Sequence, residues 1–139
     1  MFATVDYQCR MRGASHLAYP PVVAAGDHAT TIHYTDNSHQ HIDKSDMMLM
    51  DAGCEYEGYS SDITRTWPLS GEATTAQRRV FEAVYDVQTH LIAALKQGSL
   101  GERALTIDSL YHESQRLFRP HLVELGLLDP DADAGEARV

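Results

Sequence analysis

The chain has 139 residues, 43% of them hydrophobic, which suffices for one ordinary domain with a core. Lys plus Arg number 11 against 20 Asp plus Glu, a formal net charge of −9. That balance excludes the clustered basic footprint of a nucleic-acid binder and attraction to anionic lipid; it suits a chain that binds cations. No apolar run approaches the ~18 residues that span a bilayer. The opening stretch MFATVDYQCRMRGASH also lacks the apolar core of a secretory signal.

In chain order, Met1 to Arg12 reads as the end of a helix, with Val5, Cys9 and Arg12 near helical spacing and Gly13 as its stop. Tyr19-Pro20-Pro21 forces extended backbone, and Val22-Val23 continues it as a short strand. Thr30 to Tyr34 (TTIHY) is rich in β-formers and reads as a strand. Asp36-Asn37-Ser38 is a turn signal. Met47 to Cys54 is an apolar strand interrupted only by Asp51, Glu55 to Gly58 turns, and Tyr59 to Trp67 returns. Thr74-x-x-Gln77 is a capping box. It opens a helix with Val80, Phe81, Val84, Tyr85, Leu91, Ile92 and Leu95 as its apolar stripe, closed by Gly98. A second helix is expected from about Glu102 to Phe118, with Ile107, Leu110, Tyr111 and Leu117 inward and Pro120 as its stop. Strands followed by two helices make an α+β pattern with an antiparallel sheet.

The apolar hairpin carries two carboxylates. If it is centred between Tyr56 and Glu57, Asp51 and Asp62 are direct cross-strand partners with Cβ atoms ~4.5–5.5 Å apart. Bare carboxylates at that distance repel, so the pair needs a cation, a shared proton or full solvation. Strand parity puts Asp62, Thr64 and Thr66 on one face, which is polar throughout, and Ile63, Arg65 and Trp67 on the other. Two divalent ions ~3.5–4 Å apart between such carboxylates activate a water, and hard oxygen ligands suit manganese, magnesium or calcium. A solvated hairpin with ordinary polar residues accounts for the same pattern, because register is not set by these residues alone.

LMDAGCEYEGYSSDITRTWPLSGEATTAQRRVFEAVYDVQ closely resembles the aminopeptidase P group of pita-bread metallopeptidases. LAYPPVVAAGDHATTIHYTDN, from Leu17 to Asn37, resembles the segment that precedes it there. RGASHLAYPPVVAAG is most similar to the mitochondrial-type Xaa-Pro aminopeptidase 3 branch. The resemblance covers about Tyr7 to Leu127. It implies a partial pita-bread α+β fold, an antiparallel sheet with helices packed on one face. Residues 1–128 are then the N-terminal half of a catalytic domain, and 129–139 an acidic, disordered tail.

The implied activity is removal of the N-terminal residue from peptides with proline in second position, at a site of two manganese ions. Asp51 matches the aspartate that binds one metal, Asp62 the aspartate that bridges both, and His33 a histidine that contacts substrate. The implied partner is such a peptide, with no nucleic acid and no membrane; a homo-oligomer is compatible. The implied compartment is the mitochondrion or the cytoplasm. The family site takes five protein ligands, and the remaining histidine and two glutamates have no counterpart here. One of those glutamates is the family's general base, so no catalytic residue of that kind is identified. His90 and His112, on predicted helices, and His121, beyond Pro120, lack the family's surrounding motif. His28 in GDHAT and Ser45 before Asp46 are departures confined to loops.

Two rival expectations remain. Pita-bread relatives that have lost their metal ligands act as non-catalytic modules that bind proteins, and a truncated isoform would have the same sequence pattern. The retained Asp51 and Asp62 favour the enzyme reading. Among other residues, His39 and His41 read as a solvated loop, since two histidines make a poor metal site. Arg65 reads as structural and Trp67 as packing. Cys9 and Cys54 lack the spacing of a disulfide framework or a zinc ribbon. Both are read as reduced, small buried residues, with Cys54 facing the core.

Overall fold

The computed structural model describes residues 1–36, 42–100 and 103–131. It divides into two compact units, Met1–Ala73 and Thr74–Val139.

The first unit opens with helix α1 (Phe2–Met11), which ends where Gly13 takes a φ of +99°. Six strands follow in two antiparallel sheets. Strands β1 (His16–Leu17), β4 (Cys54–Tyr56) and β5 (Tyr59–Ser60) form one, in the order β1-β4-β5. Strands β2 (Val22–Ala25), β3 (Met47–Ala52) and β6 (Ile63–Pro68) form the other, in the order β2-β3-β6. Each arm of the expected hairpin is therefore split: Gly53 separates β3 from β4, and Ser61-Asp62 separate β5 from β6. The long hairpin passes from one sheet to the other at this double break.

The core of the unit is apolar and small. All four residues of β2 are buried. Val23, Ala25 and Met48 form a cluster against which Met50, Trp67 and Leu69 pack. Trp67 is thus the packing residue its position at the strand end suggests.

The register differs from the symmetric expectation. The reversal is a two-residue loop of Glu57 (φ +49°) and Gly58 (φ +86°), both left-handed, as a type I′ hairpin requires. It pairs Tyr56 with Tyr59, and Asp51 with Thr64 rather than with Asp62. A one-residue slip would have sent one carboxylate to the opposite face, whereas this shift of two preserves the face.

TTIHY is not a strand. Gly26–Thr30 form a 3₁₀ turn, and the chain turns again through Ile32 and His33, which has a φ of +54°. Strand propensity is realised only where a pleated face is buried, and Ile32 is 85% exposed. The HQH loop (39–41), with Asn37 and Ser38 of the turn signal, lies outside the described residues; so do 132–139 of the expected tail.

The second unit is a helix pair. Helix α2 (Thr75–Gln97) begins at a full capping box between Thr74 and Gln77 and ends at Gly98, φ +72°. Short strands β7 (Ser99–Leu100) and β8 (Arg103–Ala104) pair after it. Helix α3 (Ile107–Glu124) starts at a second capping box, between Thr106 and Ser109. The helices are joined by Arg79–Glu124 at 3.3 Å, Asp86–His121 at 3.1 Å and His90–Glu113 at 3.7 Å. Pro120 lies inside α3 and does not stop it. A proline inside a helix removes one hydrogen bond and crowds the carbonyl four residues earlier; here the half-buried Leu122 and Val123 beyond it offset that cost. His121 is therefore a helix residue. The expected apolar stripe is also corrected: α2 buries Ala83, Val87 and Ala94. Val80, Phe81, Val84, Tyr85, Ile92 and Leu95 are exposed, as are Ile107 and Tyr111 on α3.

Candidate metal centre

Asp51 is held on β3 by pairing on both sides, with Val22 of β2 and Thr64 of β6. Asp62 stands in the break between β5 and β6, outside the ladder. What brings the two together is Tyr19. Its hydroxyl donates to Asp51 Oδ1 at 2.5 Å and lies 3.0 Å from Asp62 Oδ1. One phenol proton is shared between two carboxylates, which answers the requirement that their repulsion be offset. Burial, then the hydrogen bonds to Asp51 and Asp62, then their negative charges push the Tyr19 phenol well above its ordinary value. It is a permanent donor at any physiological pH.

The backbone places Tyr19. The amide of Ala18 donates to the Gly53 carbonyl at 2.9 Å, and Pro20-Pro21 lead directly into β2. Gly53 is the other residue the arrangement cannot do without. A Cβ there would stand 1.7 Å from the Ser61 carbonyl oxygen and 3.1 Å from Tyr19 Cε1. The absence of a side chain is what admits the returning strand and the phenol ring at once.

Tyr19, Pro20, Val22, His33, Thr35, Asp51 and Asp62 line one cavity of about 380 Å³. The structure thus brings all three candidate residues to one cavity: the two carboxylates, and His33 in its left-handed turn. Histidine is among the residues that adopt this conformation more often than most. Arg65, on the other face of β6, donates to the Thr64 carbonyl at 2.8 Å. Tyr19 and Gly53 were not among the expected site residues. Their signal lay in an aromatic hydroxyl followed directly by two prolines, and in a glycine two residues after Asp51 within the stretch expected as one strand.

The donor set suits a hard divalent cation in kind: two carboxylates that meet at one phenol, Asp51 half-buried and Asp62 exposed. It does not suffice in number. Among the described residues no group of three or more His, Cys, Asp or Glu side chains gathers that could hold a metal ion. His90, His112 and His121 are engaged in the second unit with Glu113, Asp108 and Asp86. No helix of the described residues is long and apolar enough to cross a membrane.

The family model described as metallopeptidase family M24 matches residues 2–128. Xaa-Pro aminopeptidase 3 of Dictyostelium discoideum is 47% identical over 127 residues, 91% of this chain and 23% of that protein. The mitochondrial intermediate cleaving peptidase 55 of Arabidopsis thaliana is 39% identical over 126 residues, 91% of this chain and 24% of that protein. Among solved structures, zinc-substituted Escherichia coli aminopeptidase P in complex with product is similar with a TM-score of 0.79 at 33% identity. That match covers 96% of this chain and 28% of that one. The chain therefore spans about a quarter of the length of the relatives it matches.

Proposed function

The chain belongs to metallopeptidase family M24, and from that premise we propose that it carries part of the active site of an Xaa-Pro aminopeptidase. The reaction is removal of the N-terminal residue from a peptide whose second residue is proline. The observation that supports this reading most directly is the convergence of Asp51 and Asp62 on one phenol, in a cavity that His33 also lines.

Asp51 and Asp62 would hold a divalent metal, manganese by preference. When bound, such an ion supplies Lewis-acid polarisation of the scissile carbonyl and a more acidic water. The chain's own residues set the stage for that chemistry. The two carboxylates concentrate negative charge in the cavity. Tyr19, always protonated, holds their oxygens in place. His33 contacts the peptide in the same cavity. The likeness to the Dictyostelium Xaa-Pro aminopeptidase 3 supports this chemistry, and the likeness to the mitochondrial Arabidopsis peptidase supports the mitochondrion as the compartment.

Two carboxylates leave most of the coordination sphere to water, so we expect about millimolar affinity for manganese in this chain alone. The remaining ligands and the general base come from polypeptide outside it, and peptide turnover by this chain alone is not expected. Calorimetric titration with manganese, beside the double variant Asp51→Asn, Asp62→Asn, with an Xaa-Pro peptide assay on the same samples, tests this. Weak binding that disappears in the double variant is the expected result. Equal binding in both proteins, or peptide cleavage indifferent to the two aspartates, would overturn the reading.

A further inference from the structure

Cys9 and Cys54, expected to be reduced, small buried residues, are free and half-buried, and the structure puts them on one cavity. Cys9 is on α1 and Cys54 begins β4. The carbonyl of Cys9 accepts from the amides of Arg12 and Ala14, both at 3.1 Å, where the chain reverses at Gly13. The returning strand β1 then pairs Leu17 with Cys54. Tyr56 closes the corner, its ring 3.2 Å from where a Cβ of Gly13 would stand. Both cysteines are free and half-buried, and both line a cavity of about 530 Å³ together with Val5, Gln8, Arg12 and Tyr56. The two thiols are near enough for Cys54 to bear on the ionisation of Cys9, while the Cys54 sulfur itself lies 3.8 Å from Ser61 Oγ.

We propose that Cys9 and Cys54 form a redox-active dithiol, a modification site that a small-molecule disulfide of the glutathione class closes to an intramolecular disulfide. It is not part of the aspartate cavity and does not rest on the peptidase reading. The electrons balance by two exchanges. The Cys54 thiolate attacks one sulfur of oxidised glutathione, forming a mixed disulfide and releasing one glutathione thiolate, which takes up a proton. Cys9, losing its proton to solvent, attacks the Cys54 sulfur of that mixed disulfide and releases the second glutathione. The protein's two thiols are oxidised, and one glutathione disulfide is reduced to two thiols.

Burial first, then the neighbouring Cys54 thiol, hold the Cys9 thiol above its ordinary value. The bond would tie α1 to the strand break that carries Asp62. The Cys54 amide donates to Ser61 Oγ at 3.0 Å, one residue from that aspartate.

The test is equilibration of the whole chain in a series of reduced and oxidised glutathione ratios, native and in urea, followed by acid quench and intact mass. The expected product is the chain less two hydrogen atoms, with Cys9 and Cys54 peptides joined after proteolysis. Its native midpoint should lie at a proportion of oxidised glutathione at least about tenfold lower than in urea, because the fold supplies the effective concentration. Cys9→Ser and Cys54→Ser should each yield only the glutathione adduct. A native midpoint no lower than that of the unfolded chain would overturn the proposal. So would a native product consisting of glutathione adducts or disulfide-linked dimers.

Discussion

Tyr19 and Gly53 show how two residues without metal-binding chemistry shape a carboxylate pair. The Tyr19 hydroxyl is the shared donor between Asp51 and Asp62. Hydrogen bonds to charged groups contribute ~1.5–3 kcal/mol, toward the lower end where solvent reaches them. Tyr19→Phe keeps the ring and removes the donor, so we expect about 1 kcal/mol lost in urea denaturation without metal. An unchanged midpoint would mean the phenol does not hold the carboxylates. Gly53→Ala puts a methyl group 1.7 Å from a backbone oxygen. Neither Ser61 nor the paired strands can yield cheaply, and at least ~2 kcal/mol should be lost, as in other overpacked sites. Full stability in that variant would contradict the close approach on which the strand break depends. His33, Asp51 and Asp62 could be named as candidates from the sequence because their neighbours form recognisable motifs, and the three line one cavity. Tyr19 was not, because its role depends on a carboxylate 32 positions away.

The elements divide between what local chemistry dictates and what tertiary context overrides. The capping box at Thr74 was readable from four residues and is present in full, with Gln77 N to Thr74 Oγ1 at 3.2 Å and Thr74 N to Gln77 Oε1 at 2.9 Å. Thr74→Ala should lower stability by ~1 kcal/mol and speed hydrogen exchange in the first turn of α2; unaltered exchange there would contradict the cap's role. Hairpin register was legible only to the level of the face, because the choice of Glu57-Gly58 as the turn rests on two left-handed residues, only one of them glycine. The strand expected at Thr30–Tyr34 failed because Ile32 is left exposed and the chain turns at His33, and the Pro120 stop failed because α3 has half-buried residues beyond it.

The hairpin tip carries a pH-sensitive clamp. Glu55 accepts from the Ser15 hydroxyl and from the Gly58 amide, the latter at 2.5 Å, and lies 3.6 Å from His16. The Ser15 bond first, then the Gly58 amide, hold its carboxyl below the ordinary glutamate value. The charged form is the one favoured by folding. Its stabilisation is complete above the ordinary glutamate range and is lost as pH falls from there through the lowered folded value. Glu55→Gln should therefore be less stable than the parent at neutral pH, with the difference shrinking on acidification. A difference that stays constant into strong acid would contradict the clamp.

At the scale of the molecule, the described residues bury few large apolar side chains and expose many. Val80, Phe81, Val84, Tyr85, Ile92 and Leu95 present the stripe of α2 to solvent, and exposed apolar patches of that kind promote association. The α+β class and the antiparallel pairing were legible from element order, because period-2 and period-3.6 patterns separate cleanly along the chain. The distribution of burial was not, since sequence periodicity identifies an apolar face without showing what covers it. In our proposal the first unit presents two carboxylates to a divalent metal, with His33 on the same cavity. Manganese is paramagnetic, so even weak binding broadens nearby amide resonances. The most direct measurement is a manganese titration of isotopically labelled chain followed by NMR, repeated with Asp51→Asn, Asp62→Asn. We expect broadening to begin at Asp51, Asp62, Tyr19 and His33 and to be lost there in the double variant. Broadening that begins elsewhere, or that persists at those residues without the two carboxylates, would contradict the claim.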